Sequence, residues 1–134
     1  PAAKGNRDVI DVLFDQLDRT SPPLETPNQI WTTETLARIA SASDYSRMVA
    51  LYRRPDAEDG TRAAVVRYLG RFRRPESREI ALQMLDNWIV RPDAIRVLGK
   101  IGGPGDTATI SRYADDPNPA TRRAVVTALT KLRA

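Results

Sequence analysis

Apolar residues along the chain recur with the spacing of one face of an α-helix. Four segments can be aligned on Leu36, Leu69, Leu98 and Leu129, which are 33, 29 and 31 residues apart. In the last three of these segments, apolar side chains stand at i, i+3, i+4 and i+7, which places them on one stripe of a helix. The three stripes are Val65, Tyr68, Leu69 and Phe72; Ala94, Val97, Leu98 and Ile101; and Val125, Ala128, Leu129 and Leu132.

Further amphipathic segments lie between and before these aligned helices. Each of the first three aligned helices is followed by a second apolar stripe, and a segment with a line of aspartates precedes them all. The second stripes are Tyr45, Met48, Val49 and Tyr52; Ile80, Ala81, Met84, Leu85 and Trp88; and Ala108, Ile110, Tyr113 and Ala114. The N-terminal segment carries Ile10, Leu13, Phe14 and Leu17 on one face and Asp8, Asp11, Asp15 and Asp18 on the other. No segment alternates with period 2, so we predict no β-sheet.

The repeat length indicates that the unit is a helix pair. A period near 30 residues is too long for a heptad array and fits a helix–turn–helix unit repeated along an axis. We predict an all-α fold, an α–α superhelix of antiparallel helix pairs with about seven to eight helices in a single domain, 1–134. Its predicted parts are an N-terminal helix and linker (1–25), three helix pairs (26–57, 58–88 and 89–117) and a terminal half-repeat (118–134).

The repeats resemble a known family, the short HEAT-like repeats of the phycobilin-lyase type. The resemblance is best in Asp115–Ala124, where an acidic-proline turn is followed by an arginine and an alanine-rich turn that leads to Leu129 and Leu132. Thr61–Gly70 and Asp93–Gly103 match this pattern less fully. The resemblance covers residues 27–134 and implies a HEAT-like solenoid, whereas it says little about function because one fold serves many functions.

The resemblance also implies a structural role for one set of arginines, here called the arginine ladder. Its members are Arg62, Arg91 and Arg122, each seven residues before an aligned leucine. In the family, this arginine commonly pairs with an aspartate in an inter-repeat turn. The candidate aspartates in this chain are Asp59, Asp86 and Asp116.

Composition argues against catalysis. The chain has no cysteine and no histidine, which removes disulfides, thiol chemistry, the commonest general base and the commonest transition-metal ligand. The acidic stretch Asp56–Gly60 does not fit a calcium loop because Arg67 stands where the last acidic ligand is needed. We therefore predict a protein that is not an enzyme and has no catalytic residues, no metal ligands and no cofactor. No apolar run is long enough for a membrane span. The compartment stays open, with the cytoplasm favoured over the periplasm.

The charge is distributed unevenly along the chain. The net charge is +4, and residues 1–52 carry −2 whereas residues 53–134 carry +6. We interpret the chain as a protein–protein interaction scaffold with an acidic partner, and leave its oligomeric state open. The candidate contacts on the outward faces of the second helices are Arg47, Arg78, Gln83 and Arg112.

Two other functions remain as alternatives. The basic C-terminal half could bind the phosphate backbone of a nucleic acid, although the repeat pattern already accounts for many of its arginines. A lyase-like accessory role is the lesser alternative, since only the name-giving members of the family suggest it.

Overall fold

Eight α-helices make up most of the part of the chain that the structure describes. The computed structural model describes residues 4–19 and 27–133, and most of the predicted N-terminal linker lies outside these ranges. The helices are α1 (Lys4–Arg19), α2 (Pro27–Ile39), α3 (Tyr45–Arg53), α4 (Asp59–Leu69), α5 (Pro75–Met84), α6 (Arg91–Ile101), α7 (Thr107–Ser111) and α8 (Pro119–Arg133). No strand occurs in the described part of the chain. The predicted all-α fold of helix pairs, with seven to eight helices, is confirmed.

Two kinds of helix alternate along the chain. The aligned leucines lie on α2, α4, α6 and α8, which we call the first helices, and the second helices α3, α5 and α7 follow the first three of them. A short 3₁₀ turn precedes α3 (Ala42–Asp44) and α7 (Pro104–Asp106). The helices α5 and α8 begin at Pro75 and Pro119, where the missing proline N–H removes no intrahelical bond.

The chain divides into two compact units, 1–68 and 69–134. In the first unit, α1 packs on α2, and the largest fully buried side chains include Ile10, Leu36, Met48 and Tyr68. The hydroxyl of Tyr68 donates to the carbonyl of Ser41 at 2.6 Å, so this buried phenol has the partner that burial requires.

The core of the second unit is built around α6, which packs on both α5 and α8. Its fully buried side chains include Ile80, Ile95, Leu98 and Ile110. The backbones of α6 and α8 cross closely at Gly99. A Cβ added at this residue would lie 2.7 Å from the Cα of Ala128. Glycine at this position permits the two helices to approach.

Two second helices are shorter than the apolar stripes predict. The helix α5 ends at Met84, and Trp88 lies in the following turn with 68% of its surface exposed, so placing Trp88 on the apolar stripe of this helix is wrong. The side chain of Asn87 accepts the N–H of Ile89 at 3.0 Å and stabilises this turn. Similarly, α7 ends at Ser111, so the last two residues of its predicted stripe lie in a turn.

Candidate partner-binding surface

Arg91 holds together two turns of the second unit. Its Nη1 donates to Asp116 Oδ2 at 2.7 Å, and its Nε donates to the carbonyl of Leu85, also at 2.7 Å. The guanidinium carbon lies 4.6 Å from the centre of the Tyr113 ring. The arginine therefore links the turn after α5 to the turn after α7 through charge, hydrogen bonds and ring stacking.

The other two ladder arginines donate to backbone carbonyls instead of carboxylates. Arg62 donates to the carbonyls of Tyr52 and Arg54, at 3.3 and 3.1 Å. Arg122 donates to the carbonyls of Asp116 and Pro117, at 2.8 and 3.1 Å. Each ladder arginine thus satisfies carbonyls in the segment just before its own helix, where helix ends and turns leave such oxygens without a partner.

Among the candidate aspartates, Asp116 is bonded to the ladder arginine Arg91. Asp59 is the first residue of α4, and Asp86 lies exposed in the turn after α5. The N–H of Asn118 and then the Arg91 guanidinium outweigh the cost of desolvation and hold the pKa of the Asp116 carboxyl below its ordinary value.

Two further arginine–aspartate pairs were not predicted from the sequence. In the first unit, Arg7 Nη2 lies 2.5 Å from Asp44 Oδ1 and Nη1 lies 3.2 Å from Oδ2. In the second unit, Arg78 Nη2 lies 2.5 Å from Asp106 Oδ1 and Nε lies 3.1 Å from Oδ2. Both aspartates end a 3₁₀ turn and are buried. Each pair ties the start of one second helix to an earlier helix by a bidentate bond.

Each of these carboxylates also closes its own turn. Asp44 Oδ2 accepts the N–H of Ser41 at 2.9 Å, and Asp106 Oδ2 accepts the N–H of Gly103 at 3.0 Å. A Cβ at Gly102 would lie 2.6 Å from Asp106 Oδ2, so glycine leaves the space that the carboxylate occupies.

The environment lowers the pKa of both buried carboxyls. For Asp106, the hydrogen bond from Arg78 is the largest cause, and it exceeds the opposing effect of burial. For Asp44, burial is the largest single effect and would raise the pKa, but the bonds from Arg7 and Ser41 together outweigh it.

A repeat signal for these pairs was present in the sequence. Asp44 and Asp106 each stand eight residues after an aligned leucine, and the intervening copy has Ser77 there, which is also buried. A charged or hydroxyl residue therefore recurs at the same position in three copies of the repeat. Such recurrence indicates a polar side chain that is buried and needs a hydrogen-bond partner. The arginines could not be found in this way, because their positions do not follow the leucine alignment.

The candidate partner contact of the first unit, Arg47, lies on α3. Its side chain is half-exposed, donates to Asp11 Oδ1 at 3.1 Å and stacks at 4.0 Å over the ring of Phe14. It borders an open cavity of about 300 Å³ whose other lining residues include Leu51 and Arg54. The nearby carboxylate partly neutralises this cation.

The three candidate contacts of the second unit fall into two groups. Arg78 is half-exposed but is bonded to Asp106, so it belongs to the framework of the fold. Gln83, near the end of α5, and Arg112, directly after α7, are exposed and have no side-chain partner in the described part of the chain.

Among the described residues, the second unit carries most of the exposed cations that have no partner. Residues 69–134 hold 12 basic and 7 acidic side chains, whereas residues 1–68 hold 9 and 10. Several cations of the second unit are exposed and have no partner within the described ranges. They are Arg73, Lys100, Arg112, Arg123, Lys131 and Arg133.

Exposed apolar residues accompany these cations. Trp88 and Ile89 are neighbours in the turn after α5, and both are largely exposed. No group of three or more acidic metal-ligating side chains is found in 4–19 and 27–133. No described helix has the length and apolar character that crossing a membrane requires.

Comparison with known proteins identifies the family. The model of HEAT repeats matches residues 46–130, which is more than half of the chain. No curated protein and no solved structure matches the chain significantly. HEAT repeats are generally protein-interaction scaffolds and are typically non-catalytic. The match confirms that the repeats are HEAT-like, and the chain belongs to the HEAT repeat family.

Proposed function

We propose that the chain is a protein-binding module whose partner presents acidic side chains to the unit formed by residues 69–134. The observation that carries this proposal is the excess of exposed, unpaired cations on that unit. Positive charge of this kind steers an acidic partner towards the surface and favours its binding over that of basic proteins.

The site proposed for this contact is the turn surface, defined as Gln83, Trp88, Ile89 and Arg112. Arg91 supports the grouping, because it bonds to the turn that carries Trp88 and to the turn that follows Arg112. An exposed tryptophan and an unpaired arginine, on turns that Arg91 links, match the composition of an interface hot spot, in which an aromatic anchor supplies buried area and a cation supplies specificity.

The remaining candidates take different roles in this proposal. Arg47 is a separate contact of the first unit, weakened by its ion pair with Asp11. Arg78 contributes indirectly, because its bond to Asp106 fixes the start of α7, the helix that precedes Arg112.

Quantitative affinity capture followed by mass spectrometry tests the turn surface. The wild-type chain and the double variant Trp88→Ala/Arg112→Ala are compared on nuclease-treated lysate. We expect specific acidic proteins to be retained by the wild type and to fall by about tenfold or more with the double variant, as for loss of hot-spot residues.

The matched control is Val12→Ala/Arg38→Ala, which removes an exposed apolar residue and an exposed cation from the first unit. This control should retain the same proteins as the wild type. An identical set of captured proteins for all three chains would contradict the proposal.

A fluorescence-anisotropy titration with a random-sequence DNA duplex separates the nucleic-acid alternative. Binding through phosphates would be measurable at ~50 mM salt and would collapse by ~200 mM, because each contact releases counterions. Our proposal expects no such binding at either salt concentration. Salt-sensitive binding of the duplex, together with no specific protein capture, would overturn it.

A further inference from the structure

We propose that the unit formed by residues 69–134 binds membranes that contain anionic lipids, through one end of its helices. We call this end the basic edge and define it by five exposed cations: Arg71, Arg73, Arg74, Lys100 and Lys131. The basic edge is separate from the turn surface, and binding to a lipid surface goes beyond the binding of an acidic protein.

The connections within the second unit bring these cations to one end. The three arginines of the basic edge lie in the turn that leads into α5, and Lys100 lies in the last turn of α6. Since α6 packs on α5 after a short turn, the end of α6 returns to the start of α5. The bond from Arg78, the fourth residue of α5, to Asp106 in the turn after α6 joins the same two places.

The last turn of α8 reaches this end as well. The helices α6 and α8 cross at Gly99 and Ala128, near the C-terminal end of each, so Lys131 lies at the same end as Lys100. The two lysines are equivalent in the leucine alignment. Lys100 is exposed although α8 packs on its helix, so exposure is a property of this position in the repeat.

The acidic side chains of the unit are placed differently. The exposed Asp86 and Asp115 lie in the turns after α5 and α7, at the other end of the helices. Near the basic edge, Asp106 is buried, Glu76 is half-buried, and the exposed Glu79 lies one turn into α5. The ten residues of α5 separate the two ends by about 15 Å. The second unit therefore has one end that is strongly positive.

The composition of the basic edge favours a lipid surface over a protein partner. Large apolar side chains that are exposed in the described part of the chain all lie away from this edge. They are Val9, Val12, Trp31, Trp88, Ile89 and Val126. A specific protein interface needs such anchors, whereas the negative potential of anionic lipids attracts a cluster of cations without them.

The helix ends at the basic edge favour a lipid surface over a nucleic acid. Contacts with the phosphates of a duplex are direct and commonly use helix N-termini, where N–H groups and the positive end of the dipole meet the anion. The basic edge instead contains the C-terminal ends of α6 and α8, where the dipole is negative. Attraction to a charged membrane acts over a Debye length, about 10 Å at 0.1 M salt, and does not require such contacts.

Sedimentation of the full chain with lipid vesicles tests the proposal. Vesicles of phosphatidylcholine with about 30 mol% phosphatidylserine should carry the chain into the pellet at ~50 mM salt and release it at ~500 mM salt. Vesicles of phosphatidylcholine alone should carry none.

Two double variants test which end of the unit is used. Arg73→Glu/Lys100→Glu reverses two charges of the basic edge and should lower the partition coefficient onto the anionic vesicles by about tenfold or more. The matched control Arg112→Glu/Arg123→Glu reverses two exposed charges after α7 and near the start of α8, at the other end of the unit. It should lower the partition coefficient by less than about threefold. Circular dichroism should show that both variants keep their helices.

The orientation on the membrane gives a further measurement. In Trp31→Phe, Trp88 is the remaining tryptophan, and its emission should not shift when anionic vesicles are added, because the turn surface points away from the lipid. No binding to anionic vesicles, equal binding to neutral vesicles, equal losses in the two double variants, or a blue shift of Trp88 would overturn the proposal. So would a random-sequence duplex that binds through the basic edge when the vesicles do not.

Discussion

At the scale of single residues, buried polar groups separate into those with a strong partner and those without one. Asp44 and Asp106 are buried carboxylates, and each is held by an arginine and a backbone N–H. Thr61 and Thr121 are also buried, but their hydroxyls have no hydrogen-bond partner among the residues that the structure describes. The first kind of site should make stability depend on pH, whereas the second should reduce stability at every pH.

The pair Arg78–Asp106 predicts a loss of stability in acid. Because the folded state lowers the pKa of Asp106 below 3.8, its contribution is present above that value and is lost as the pH falls through the folded pKa. Asp106→Asn should lower the melting temperature near pH 6 by roughly 5 °C and should flatten its fall between about pH 5 and 2. Scanning calorimetry over this range measures both effects.

Asp115→Asn is the control for this experiment, since Asp115 is exposed and is not bonded to an arginine in the described part of the chain. It should leave the pH dependence of the melting temperature unchanged. Equal pH dependence for wild type and Asp106→Asn would show that the pair does not contribute.

The unpartnered threonines predict a stabilising substitution. Thr121 stands eight residues before its aligned leucine, and the equivalent residue in the third copy is Val90, which is fully buried. Thr121→Val keeps the shape and removes a hydroxyl that is buried without a bond, so the free energy of unfolding should rise by about 1 kcal/mol. Urea unfolding measures this gain, and Thr127→Val on the exposed face of the same helix should produce none. A lower stability of Thr121→Val would show that the hydroxyl has a partner.

At the scale of helices, the close crossing of α6 and α8 predicts the cost of a single methyl group. Gly99→Ala would place its Cβ 2.7 Å from the Cα of Ala128, so backbone has to move. The cost of overpacking, roughly 1–3 kcal/mol, exceeds the gain of about 1 kcal/mol in helix propensity. The melting temperature should fall.

Gly105→Ala is the control, because its added Cβ would have no atom within 4 Å. A Gly99→Ala variant as stable as the wild type would contradict the close packing of α6 and α8.

Helices were also the features best predicted from the sequence, because a stripe with period 3.6 reports burial directly. The aligned leucines Leu36, Leu69 and Leu98 identified three of the first helices, and all three are buried. The apolar stripe that ends at Trp88 predicted a helix that is too long. Periodicity does not show where a helix ends, and the side chain of Asn87 stabilises a turn at this point. The hydrogen-bond partners of the ladder arginines could not be predicted in detail. Backbone carbonyls compete with carboxylates for each guanidinium, and the sequence does not show which of these acceptors lies closer to it.

At the scale of the whole chain, the division into two units predicts that instability stays local. Stability in repeat proteins is approximately a sum over neighbouring repeats, so damage in one unit affects that unit most. Arg91→Ala removes the link between two turns of the unit 69–134 and should cost roughly 1–3 kcal/mol, chiefly through the unsatisfied carbonyl of Leu85. Hydrogen exchange should rise in α5–α8 more than in α1–α3.

Arg96→Ala is the matched control for this prediction, because Arg96 lies on the same helix and is half-exposed. Its exchange pattern should be that of the wild type. A uniform rise over both units in Arg91→Ala would mean that the chain unfolds as one cooperative block.

The exposure of both tryptophans has a consequence for spectroscopy. Trp31 and Trp88 are each more than half exposed, so their indole rings already contact water in the folded chain. Tryptophan emission should therefore lie near the red limit before denaturation and change little in colour during it. Trp88 is also well placed to report binding, because covering its ring by a partner would remove water and shift its emission towards the blue.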